Sequence, residues 1–350
     1  MKIADIISQI EPLDRDAMKM ARERQDSLTK PQGSLGILED LSVKIAGITG
    51  DPHPTIEKKV IITMAGDHGV VGEGVSAFPK EVTLQMVSNF LGGGAGINVL
   101  ARHIGARVAV VDMGIAADID THPELIARKT AHGTKNMTEG PAMTREEAEK
   151  SIEAGIEIFE EELKKGMDIV GTGDMGIGNT TPSSAIAAAI TGESVQKVTG
   201  RGTGIDDSTF ENKIKIIEKA MQVNKPDPND PLDILAKVGG FEIAGLTGVI
   251  LAGAKNRVPV VIDGFISGAA ALIAAGLAPI AKDYIIASHQ SVEAGHRTML
   301  DYMNLSPLLN LNLRLGEGTG AALGISLAEA SVKILNEMAT FEGAGVSDKK

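Results

Sequence analysis

The stretch DIVGTGDMGIGNTTPSSAIAAAI, residues 168–190, decides the fold class. It begins with a short apolar run, passes through a glycine-rich turn and continues into an alanine-rich segment of helical length. The apolar run predicts a buried strand, and NTTP predicts a helix start with Asn179, Thr180 and Thr181 as caps and Pro182 at the first helical position. A strand that passes directly into a helix is typical of a parallel α/β sheet.

Three more apolar runs, at residues 60–64, 108–111 and 258–262, also end in Gly or Asp. Helical segments lie between them, such as 144–165, which opens with a predicted capping box. Repeated strand and helix predict a doubly wound, Rossmann-like parallel sheet in an α/β protein. Ligands of such sheets bind beyond the carboxyl ends of the strands, so the site is expected along that edge.

The composition favours a protein that acts on a small molecule. The 350 residues are 43% hydrophobic but only 3% aromatic, so the core must be aliphatic. The formal net charge of −12 argues against nucleic acid as a partner, because nucleic-acid binders neutralise phosphates with excess Lys and Arg. The chain has no Cys, which excludes disulfides and thiolate nucleophiles.

Nothing in the sequence favours a membrane partner. Residues 1–25 carry charges throughout, so they indicate amphipathic helix rather than a signal peptide, and we expect a cytoplasmic protein. The stretch 264–281 approaches spanning length, but it is mainly Gly and Ala with weak hydrophobicity. It is interpreted as a buried helix.

Two glycine-rich turns are candidates for binding a phosphate group. The first runs from Gly176 and Gly178 into the predicted helix start, where free backbone N–H groups and the helix dipole favour an anion. The second, GRGTGID at 200–206, contains Gly202 and is followed by Lys213, a candidate counter-charge. The alternative for both is a tight turn that binds nothing.

Glu317 lies between two glycines in RLGEGTGAAL, residues 314–323, just before an alanine-rich helix. Glycine on both sides lets a ligand approach the carboxylate closely, and partial burial would raise its pKa toward the range of a general base. The alternative is a glutamate that favours the positive N-terminus of the following helix. The residue chemistry alone leaves both open.

Six acids and histidines fall at predicted strand ends or turns and together resemble a metallohydrolase ligand set: Asp67, His68, Asp112, Asp174, Asp263 and His289. Their spacing matches no metal motif, so we expect no metal and no cofactor. VVIDGFIS, residues 260–267, is similar to the acidic loop that binds diphosphate and magnesium in ordinary phosphoribosyltransferases. Gly264 stands where a second acid is expected there, which disfavours a pyrophosphate donor.

Taken together, the motifs resemble those of one family, the nicotinate-nucleotide–dimethylbenzimidazole phosphoribosyltransferases, which make the lower ligand of cobalamin. The resemblance covers nearly the whole chain. It rests on LTKPQGSLG (28–36), AGDHGV (65–70), EGVSAFPKEVTLQM (73–86), GDMGIGNTTP (173–182), KVGGFEIAGLTG (237–248), DGF (263–265) and RLGEGTGAAL (314–323).

The resemblance implies a homodimer with two domains in each chain. The large α/β domain would span 51–304, and a smaller helical domain would be formed from both chain ends, 1–50 and 305–350. The implied activity is transfer of ribose 5-phosphate from nicotinate mononucleotide to 5,6-dimethylbenzimidazole. The products are α-ribazole 5′-phosphate and nicotinate, with inversion at C1′.

By the same resemblance Glu317 is the catalytic base. Asp174 stands where Glu is expected in many relatives, so an auxiliary acid-base role there would have a shorter reach. The predicted phosphate- and ribose-binding residues are Gly176, Gly178, Asn179, Thr180, Gly202, Lys213, Asp263 and Ser291, and the predicted base-binding residues are Phe78, Gln85 and Leu315.

Parts of the sequence are compatible with two other functions. GTGDMG, residues 171–176, fits the dinucleotide pattern G-x-G-x-x-G and suggests an NAD-dependent oxidoreductase. That fold needs an acid at the end of the next strand, and Glu193 has the right distance but no apolar strand before it. The third reading is a non-catalytic binder of nucleotide monophosphates, which would not need Glu317.

Overall fold

The computed structural model describes residues 2–118 and 122–347. The strands in this part are β1 (Lys59–Gly66), β2 (Ala106–Gly114), β3 (Leu125–Ala127), β4 (Ile169–Met175), β5 (Val260–Ile262) and β6 (Ile285–Ala287). The helices are α1 (Ile3–Ile7), α2 (Arg15–Ser27), α3 (Ile37–Thr49), α4 (Val82–Leu91), α5 (Gly96–Ile104), α6 (Arg145–Lys164), α7 (Thr180–Thr191), α8 (Val195–Val198), α9 (Asp207–Asn224), α10 (Pro231–Val238), α11 (Phe241–Lys255), α12 (Phe265–Leu277), α13 (Ala294–Met303), α14 (Thr319–Glu337) and α15 (Phe341–Ala344). Two 3₁₀ helices span Gly69–Glu73 and Pro279–Tyr284.

The six strands form one sheet in the order β3-β2-β1-β4-β5-β6, and every neighbouring pair is parallel. This is the strand order of a doubly wound Rossmann-type sheet. The predicted fold class is therefore confirmed. The order reverses between β1 and β4, and the crevice beyond the carboxyl ends of these two strands is the place where such sheets bind ligands.

Strand β1 shows why helices cover both faces of the sheet. Val60, Ile62 and Met64 belong to the core cluster that contains α6, α11 and α12. Ile61 and Ala65 point the other way, into a second cluster with α5 and α14. Successive side chains of a strand alternate between faces, so a strand that is apolar at nearly every position must be covered twice.

Three strands extend further along the chain than the sequence predicted. The runs at 60–64, 108–111 and 168–170 continue to Gly66, Gly114 and Met175, because the following Gly and Asp residues still pair with their neighbours in the sheet.

In β4, Gly171 and Gly173 lie opposite Ile61 and Thr63 of β1. A Cβ on Gly171 would lie 2.5 Å from Ile61 Cδ1. These glycines therefore serve close packing within the strand and do not form a dinucleotide turn.

Helix α6 confirms the prediction for 144–165, including its capping box. Thr144 Oγ1 accepts from Glu147 N at 3.1 Å, and Glu147 Oε2 accepts from Thr144 N at 2.7 Å. The Gly/Ala stretch forms the buried helix α12. In the described ranges, no helix is long and apolar enough to cross a membrane.

The start of α7 differs from the prediction. The helix begins at Thr180 with Asn179 at the N-cap, so Pro182 occupies the third helical position instead of the first. The Asn179 side chain does not cap the helix. Its amide donates instead to Asp174 Oδ2 at 3.0 Å, which ties the helix start to the end of β4.

Helices from both chain ends pack together, since α2 contacts α3 and both contact α14. Helix α14 also packs directly on β4 and β5. The division into a small domain (1–50 and 305–350) and a large one (51–304) remains a prediction. Residues 1 and 348–350 of the predicted small domain lie outside the described residues.

Candidate active site

Glu317 lies at the carboxyl edge of the sheet in a strained turn. Its φ is +64°, and the flanking Gly316 and Gly318 have φ values of +82° and +102°. The left-handed conformation costs a residue with a side chain about 1–2 kcal/mol. Two hydrogen bonds hold the Glu317 backbone: its N–H donates to the Asp174 carbonyl at 3.1 Å, and Thr63 Oγ1 donates to its carbonyl at 2.9 Å.

Glu317 is 4% exposed, and its carboxylate accepts a hydrogen bond from Ile97 N at 3.1 Å. Ile97 is in the first turn of α5, so the carboxylate lies at the N-terminus of α5 and not only before α14. Burial raises the pKa of Glu317, and the Ile97 N–H partly opposes this shift. A carboxylate with a raised pKa and one oxygen free of hydrogen bonds to the backbone has the properties of a general base.

Two glycines make room for this turn. A Cβ on Gly173 would overlap the carbonyl of Glu317, and one on Gly96 would lie 3.0 Å from Leu315 Cδ2 and 3.3 Å from Glu317 Oε2. The backbone of β4 and the start of α5 therefore approach the turn at Glu317 more closely than any larger residue would allow.

We expect Gly173→Ala to displace Glu317 and to lower kcat by roughly 10- to 100-fold, with a loss of unfolding free energy of about 1–3 kcal/mol from overpacking. Steady-state assays and denaturant unfolding measure both effects. Gly140→Ala is the matched control, because a Cβ there would meet nothing within 4 Å. Full activity in the Gly173→Ala protein would contradict the importance of this close approach.

Asp263 organises the same turn from below. Its carboxylate accepts from Gly320 N at 2.7 Å, Ala321 N at 3.1 Å and Gly318 N at 3.2 Å, so it caps the N-terminus of α14. Burial raises its pKa to about 7 against the opposing effect of these N–H groups. Both oxygens are already used, which favours a structural role. The predicted role in binding phosphate or ribose remains a prediction.

Asp174 is buried beside Glu317, and Gly316 packs so closely on it that a Cβ there would lie 3.2 Å from Asp174 Oδ2. Burial raises its pKa well above the usual range, and the nearby charges of Asp263 and Glu242 act in the same direction. The protonated form is therefore favoured. Burial thus raises the pKa of both Asp174 and Glu317, and the rise is larger for Asp174.

The first glycine-rich turn packs on the end of β1. A Cβ on Gly176 would lie 3.1 Å from His68 Nε2 and would overlap the Gly66 carbonyl, while Gly178 has a φ of +84°. Ile177 N donates to Thr83 Oγ1 at 3.1 Å, which joins the turn to α4. The turn is built from glycine because the chain must fold back against the strand.

The second glycine-rich turn lies against the first. Lys213 Nζ donates to Thr180 Oγ1 at 2.6 Å. Gly202 has a φ of +53°, and a Cβ there would lie 2.9 Å from Thr180 Oγ1 and 3.5 Å from Lys213 Nζ. Lys213 is fully buried, and burial lowers its pKa to about 8. The lysine thus lies beneath the two turns.

A cleft runs between these turns and the Glu317 segment. It is lined by Asp174, Asn179, Thr180, Gly202, Thr203, Gly264, Phe265, Ile266, His289, Ser291, Glu293, Arg314, Leu315 and Gly316. Six predicted site residues are among them. Ser291 is held by Leu313, whose carbonyl accepts from Ser291 Oγ at 3.3 Å.

Two charged residues of the cleft were missed by the sequence reasoning. Arg314 Nη1 donates to the Gly202 carbonyl at 3.1 Å, and its position at the start of RLGEGTGAAL offered a clue. Glu293 is 6% exposed and belongs to no motif, so no sequence feature singled it out.

The predicted base-binding residues lie nearer the surface. Phe78 is 48% exposed and Leu315 is 61% exposed, and Gln85 is also exposed on α4. Leu315 borders the cleft beside Gly96. An exposed apolar side chain at the edge of a polar cleft, as that of Leu315 is, suits a flat aromatic ligand. That these three residues bind the base remains a prediction.

The acids and histidines that together resemble a metallohydrolase ligand set make hydrogen bonds within the protein. Asp67 Oδ2 accepts from Ala116 N at 2.8 Å, Asp112 Oδ1 from Ile115 N at 2.9 Å, His68 pairs with Glu242 at 2.8 Å, and His289 contacts Ser288 Oγ at 3.1 Å. Within residues 2–118 and 122–347, no group of three or more acids or histidines has a geometry that would hold a metal ion.

The position of Glu193 does not support an NAD-dependent oxidoreductase. Glu193 lies just after α7, where its carboxylate accepts from Lys197 Nζ at 2.6 Å. It is not at the end of a strand, so it has no position from which to bind a ribose at the edge of the sheet.

Comparisons with known proteins agree with the family resemblance and with the fold. The family described as phosphoribosyltransferase matches residues 10–346. A relative from Chloroflexus aggregans named nicotinate-nucleotide–dimethylbenzimidazole phosphoribosyltransferase is 60% identical over 348 residues, covering 99% of each chain. One of the same name from Desulforudis audaxviator is 59% identical and covers 98% of each chain. The crystal structure of the enzyme so named from Thermus thermophilus superposes with a TM-score of 0.91 at 42% identity, over 96% of this chain and 100% of that one.

Proposed function

This chain belongs to the nicotinate-nucleotide–dimethylbenzimidazole phosphoribosyltransferase family, and we propose that Glu317 is the base with which it transfers phosphoribose from nicotinate mononucleotide to dimethylbenzimidazole. The protein is a transferase. The observation that carries the assignment of the base is the buried Glu317 carboxylate, raised in pKa, at the carboxyl edge of the sheet and next to the two glycine-rich turns.

The donor substrate does not need an acid at its leaving group. Nicotinate mononucleotide carries a cationic pyridinium on C1′ of the ribose, so cleavage of the C1′–N bond releases nicotinate with a neutral ring nitrogen. The difficult part of the reaction is therefore the nucleophile, because neutral dimethylbenzimidazole must lose its N–H proton as its other nitrogen attacks.

Glu317 would accept that proton while the second ring nitrogen attacks C1′ from the face opposite the pyridinium. The new C1′–N bond forms as the old one breaks, so a β-linked donor gives an α-linked product. The Ile97 N–H and the strained turn fix the carboxylate in place. A carboxylate held in contact with the attacking dimethylbenzimidazole lowers the entropic cost of the reaction.

The 5′-phosphate would be held by the two turns that meet at Thr180 and Gly202. The positive end of the α7 dipole favours an anion, and Arg314 and Lys213 supply positive charge near the Gly202 turn. Phosphate bound there anchors the sugar, so binding energy from a remote group orients C1′ toward the base.

Asp174 is proposed as an auxiliary group at the same site. Its burial favours the protonated form, so it would donate a hydrogen bond to the ribose or to the attacking base instead of removing a proton. An Asp reaches less far than the Glu expected from the family resemblance, so its contribution is proposed to be smaller than that of Glu317.

Formation of α-ribazole 5′-phosphate from the two substrates by the purified protein tests the proposal. Chromatography of the product against α and β standards reports the inversion at C1′. A nucleotide-binding protein without activity would bind nicotinate mononucleotide but leave it intact. That result, from protein that folds and binds both ligands, would contradict the proposed reaction.

We expect the activity to survive dialysis against EDTA, because a cationic leaving group removes the need for a Lewis acid at the glycosidic bond. Rates measured after chelation, with and without added Mg²⁺ or Zn²⁺, should agree within about twofold. Loss of activity that one metal restores would instead favour the metallohydrolase-like use of the acids at the strand ends.

Assembly and location are proposed from the family resemblance. We propose a cytoplasmic homodimer whose chains each contain the small and large domains predicted from the sequence. Light scattering should then give a molar mass about twice that of one chain. A single-chain mass at micromolar concentration would contradict the dimer without affecting the assignment of Glu317.

A further inference from the structure

The cleft contains an acid where a phosphate site would be expected to hold only cations. Glu293 lines the cleft together with Arg314 and Gly202, at the place proposed for the 5′-phosphate. A carboxylate there repels a phosphate dianion. Its presence needs a physical reason that outweighs this repulsion.

Glu293 is built tightly into the second turn. Its side chain packs so closely on Gly200 that any Cβ on that glycine would overlap the carboxylate. Glu293 N–H donates to Ser291 Oγ at 3.3 Å, which fixes the start of the segment that leads into α13. Glu293 Oε2 is buried and has no hydrogen-bond partner. Such a carboxylate is costly unless nearby positive charge compensates it.

Two cations supply that charge. Burial raises the pKa of Glu293, and the positive charges of Lys213 and Arg314, with a hydrogen bond from the Gly202 backbone, oppose that rise. Glu293 in turn raises the pKa of Lys213 against the effect of burial. The three side chains come from separate elements: α9, the segment before α13, and the segment before Glu317. They converge on the Gly202 turn, where Lys213 lies beneath it and Arg314 Nη1 bonds its carbonyl.

We infer that Glu293 is the resident counter-ion of the phosphate pocket, a positioning residue that keeps Lys213 protonated beneath the Thr180 and Gly202 turns until the 5′-phosphate arrives. The inference rests on the proposed function, because it assumes that these turns bind the phosphate. Lys213 is fully buried, and without a nearby negative charge a buried ammonium loses its proton.

The remaining titratable groups around the pocket do not replace Glu293. Burial raises the pKa of Asp174 well above its usual range, which disfavours its charged form. Burial also lowers the pKa of His289 to about 4 and of His296 to about 3, so both histidines are neutral. Arg201 and Asp207 pair with each other at the surface. Glu293 is therefore the negative charge that acts on Lys213.

The exchange of counter-ions predicts a distinctive dependence on pH. Near pH 6.5 Lys213 is protonated with or without Glu293, and removal of the Glu293 charge only removes repulsion of the phosphate. As the pH rises past the pKa of Lys213, which is about 8, the lysine loses its proton even beside Glu293; without Glu293 it loses the proton at lower pH, so a smaller fraction of Lys213 is charged and phosphate binding is weaker. A residue that merely held the turn in shape would have the same effect at every pH.

The test is the KM for nicotinate mononucleotide of Glu293→Gln relative to the unmodified enzyme at pH 6.5 and 8.5. We expect a ratio of about 1 or less at pH 6.5 and of roughly 5 or more at pH 8.5. The KM for dimethylbenzimidazole should change less than about twofold, because Glu293 does not touch the reacting atoms. Glu293→Asp, which keeps the charge, should restore a ratio that is nearly independent of pH.

Two controls separate the possible causes. Glu193→Gln removes a partly exposed carboxylate seven residues before Gly200 and should leave the ratio near 1 at both pH values. In a Lys213→Met background, Glu293→Gln should no longer change the pH dependence, because the group it acts on is absent. A constant ratio in Glu293→Gln, or an unchanged effect without Lys213, would overturn the inference.

The outcomes also separate this inference from the proposed function. If the unmodified protein forms no α-ribazole 5′-phosphate, the proposed function itself fails. If it is active and Glu293→Gln shows no change of KM with pH relative to it, only the role of Glu293 fails. Thermal unfolding of Glu293→Gln, with a Tm near that of the unmodified protein, shows that the variant is folded.

Discussion

Glu317→Gln is expected to lower kcat by roughly 100-fold or more while both substrates still bind, since general-base catalysis typically contributes 10²- to 10⁴-fold. Glutamine fills the same space, tolerates the same turn and keeps an oxygen for the Ile97 N–H, but it takes up no proton from dimethylbenzimidazole. Steady-state kinetics with both substrates measure the change.

The pH profile sharpens this test. A base acts in its ionised form, so kcat should rise with pH through the raised pKa of Glu317, and this limb should disappear in the glutamine variant. The folded protein binds the Glu317 proton more tightly than the unfolded chain does, so ionisation of this group costs stability as pH rises. The variant should therefore be at least as stable at neutral pH. Near-normal kcat in a folded Glu317→Gln protein would exclude Glu317 as the base.

Removal of the 5′-phosphate from the donor is expected to have an effect of similar size. Nicotinate riboside should react with a kcat/KM that is roughly 10²- to 10⁴-fold lower, which corresponds to the loss of two hydrogen bonds to a charged group at about 1.5–3 kcal/mol each. Part of the loss should fall on kcat, because the phosphate also orients C1′.

Lys213→Met locates the phosphate on the protein side. Methionine matches the buried stem of the lysine, so the variant mainly loses charge and the bond to Thr180. We expect the KM for nicotinate mononucleotide to rise roughly 10- to 150-fold and that for the riboside to change little. Steady-state kinetics measure the KM values, and calorimetry measures the dissociation constant of each ligand, with dimethylbenzimidazole as the control. Equal losses for all three ligands would place the phosphate elsewhere.

The sequence predicted the centre of the sheet well because one physical pattern determines it. Residues 60–64 are apolar at nearly every position, and only a strand covered on both faces buries all of them. The strands β3 and β6 were not predicted, since each has three residues and is held by pairing with its neighbour. A short edge strand has too little local pattern to be recognised.

The limits of strands and helices depended on tertiary contacts. Gly171 and Gly173 indicate a turn when read locally, yet pairing with β1 keeps them in the sheet. Asn179 was expected to cap α7 with its side chain, but the side-chain amide donates a hydrogen bond to Asp174 instead. Asp174 comes from β4, and a preference for local capping does not anticipate such a competitor.

The motif residues Thr180, Gly202 and Lys213 lie together in the structure, and their role in binding phosphate remains a prediction. Glu293 was missed because a single glutamate outside any motif is indistinguishable from a surface acid until burial reveals it. The depth of Lys213 was also unforeseeable, since lysine is rarely buried completely.

The left-handed turn at Glu317 has a consequence for protein engineering. Glycine adopts this conformation without strain, so a Glu317→Gly sequence would recover about 1–2 kcal/mol of backbone energy. A design procedure that ranks variants only by folding free energy would therefore favour glycine here and remove the proposed base. Thermostable variants of this enzyme should be selected with position 317 held fixed, because the residue that the backbone disfavours is the one that we propose as the base.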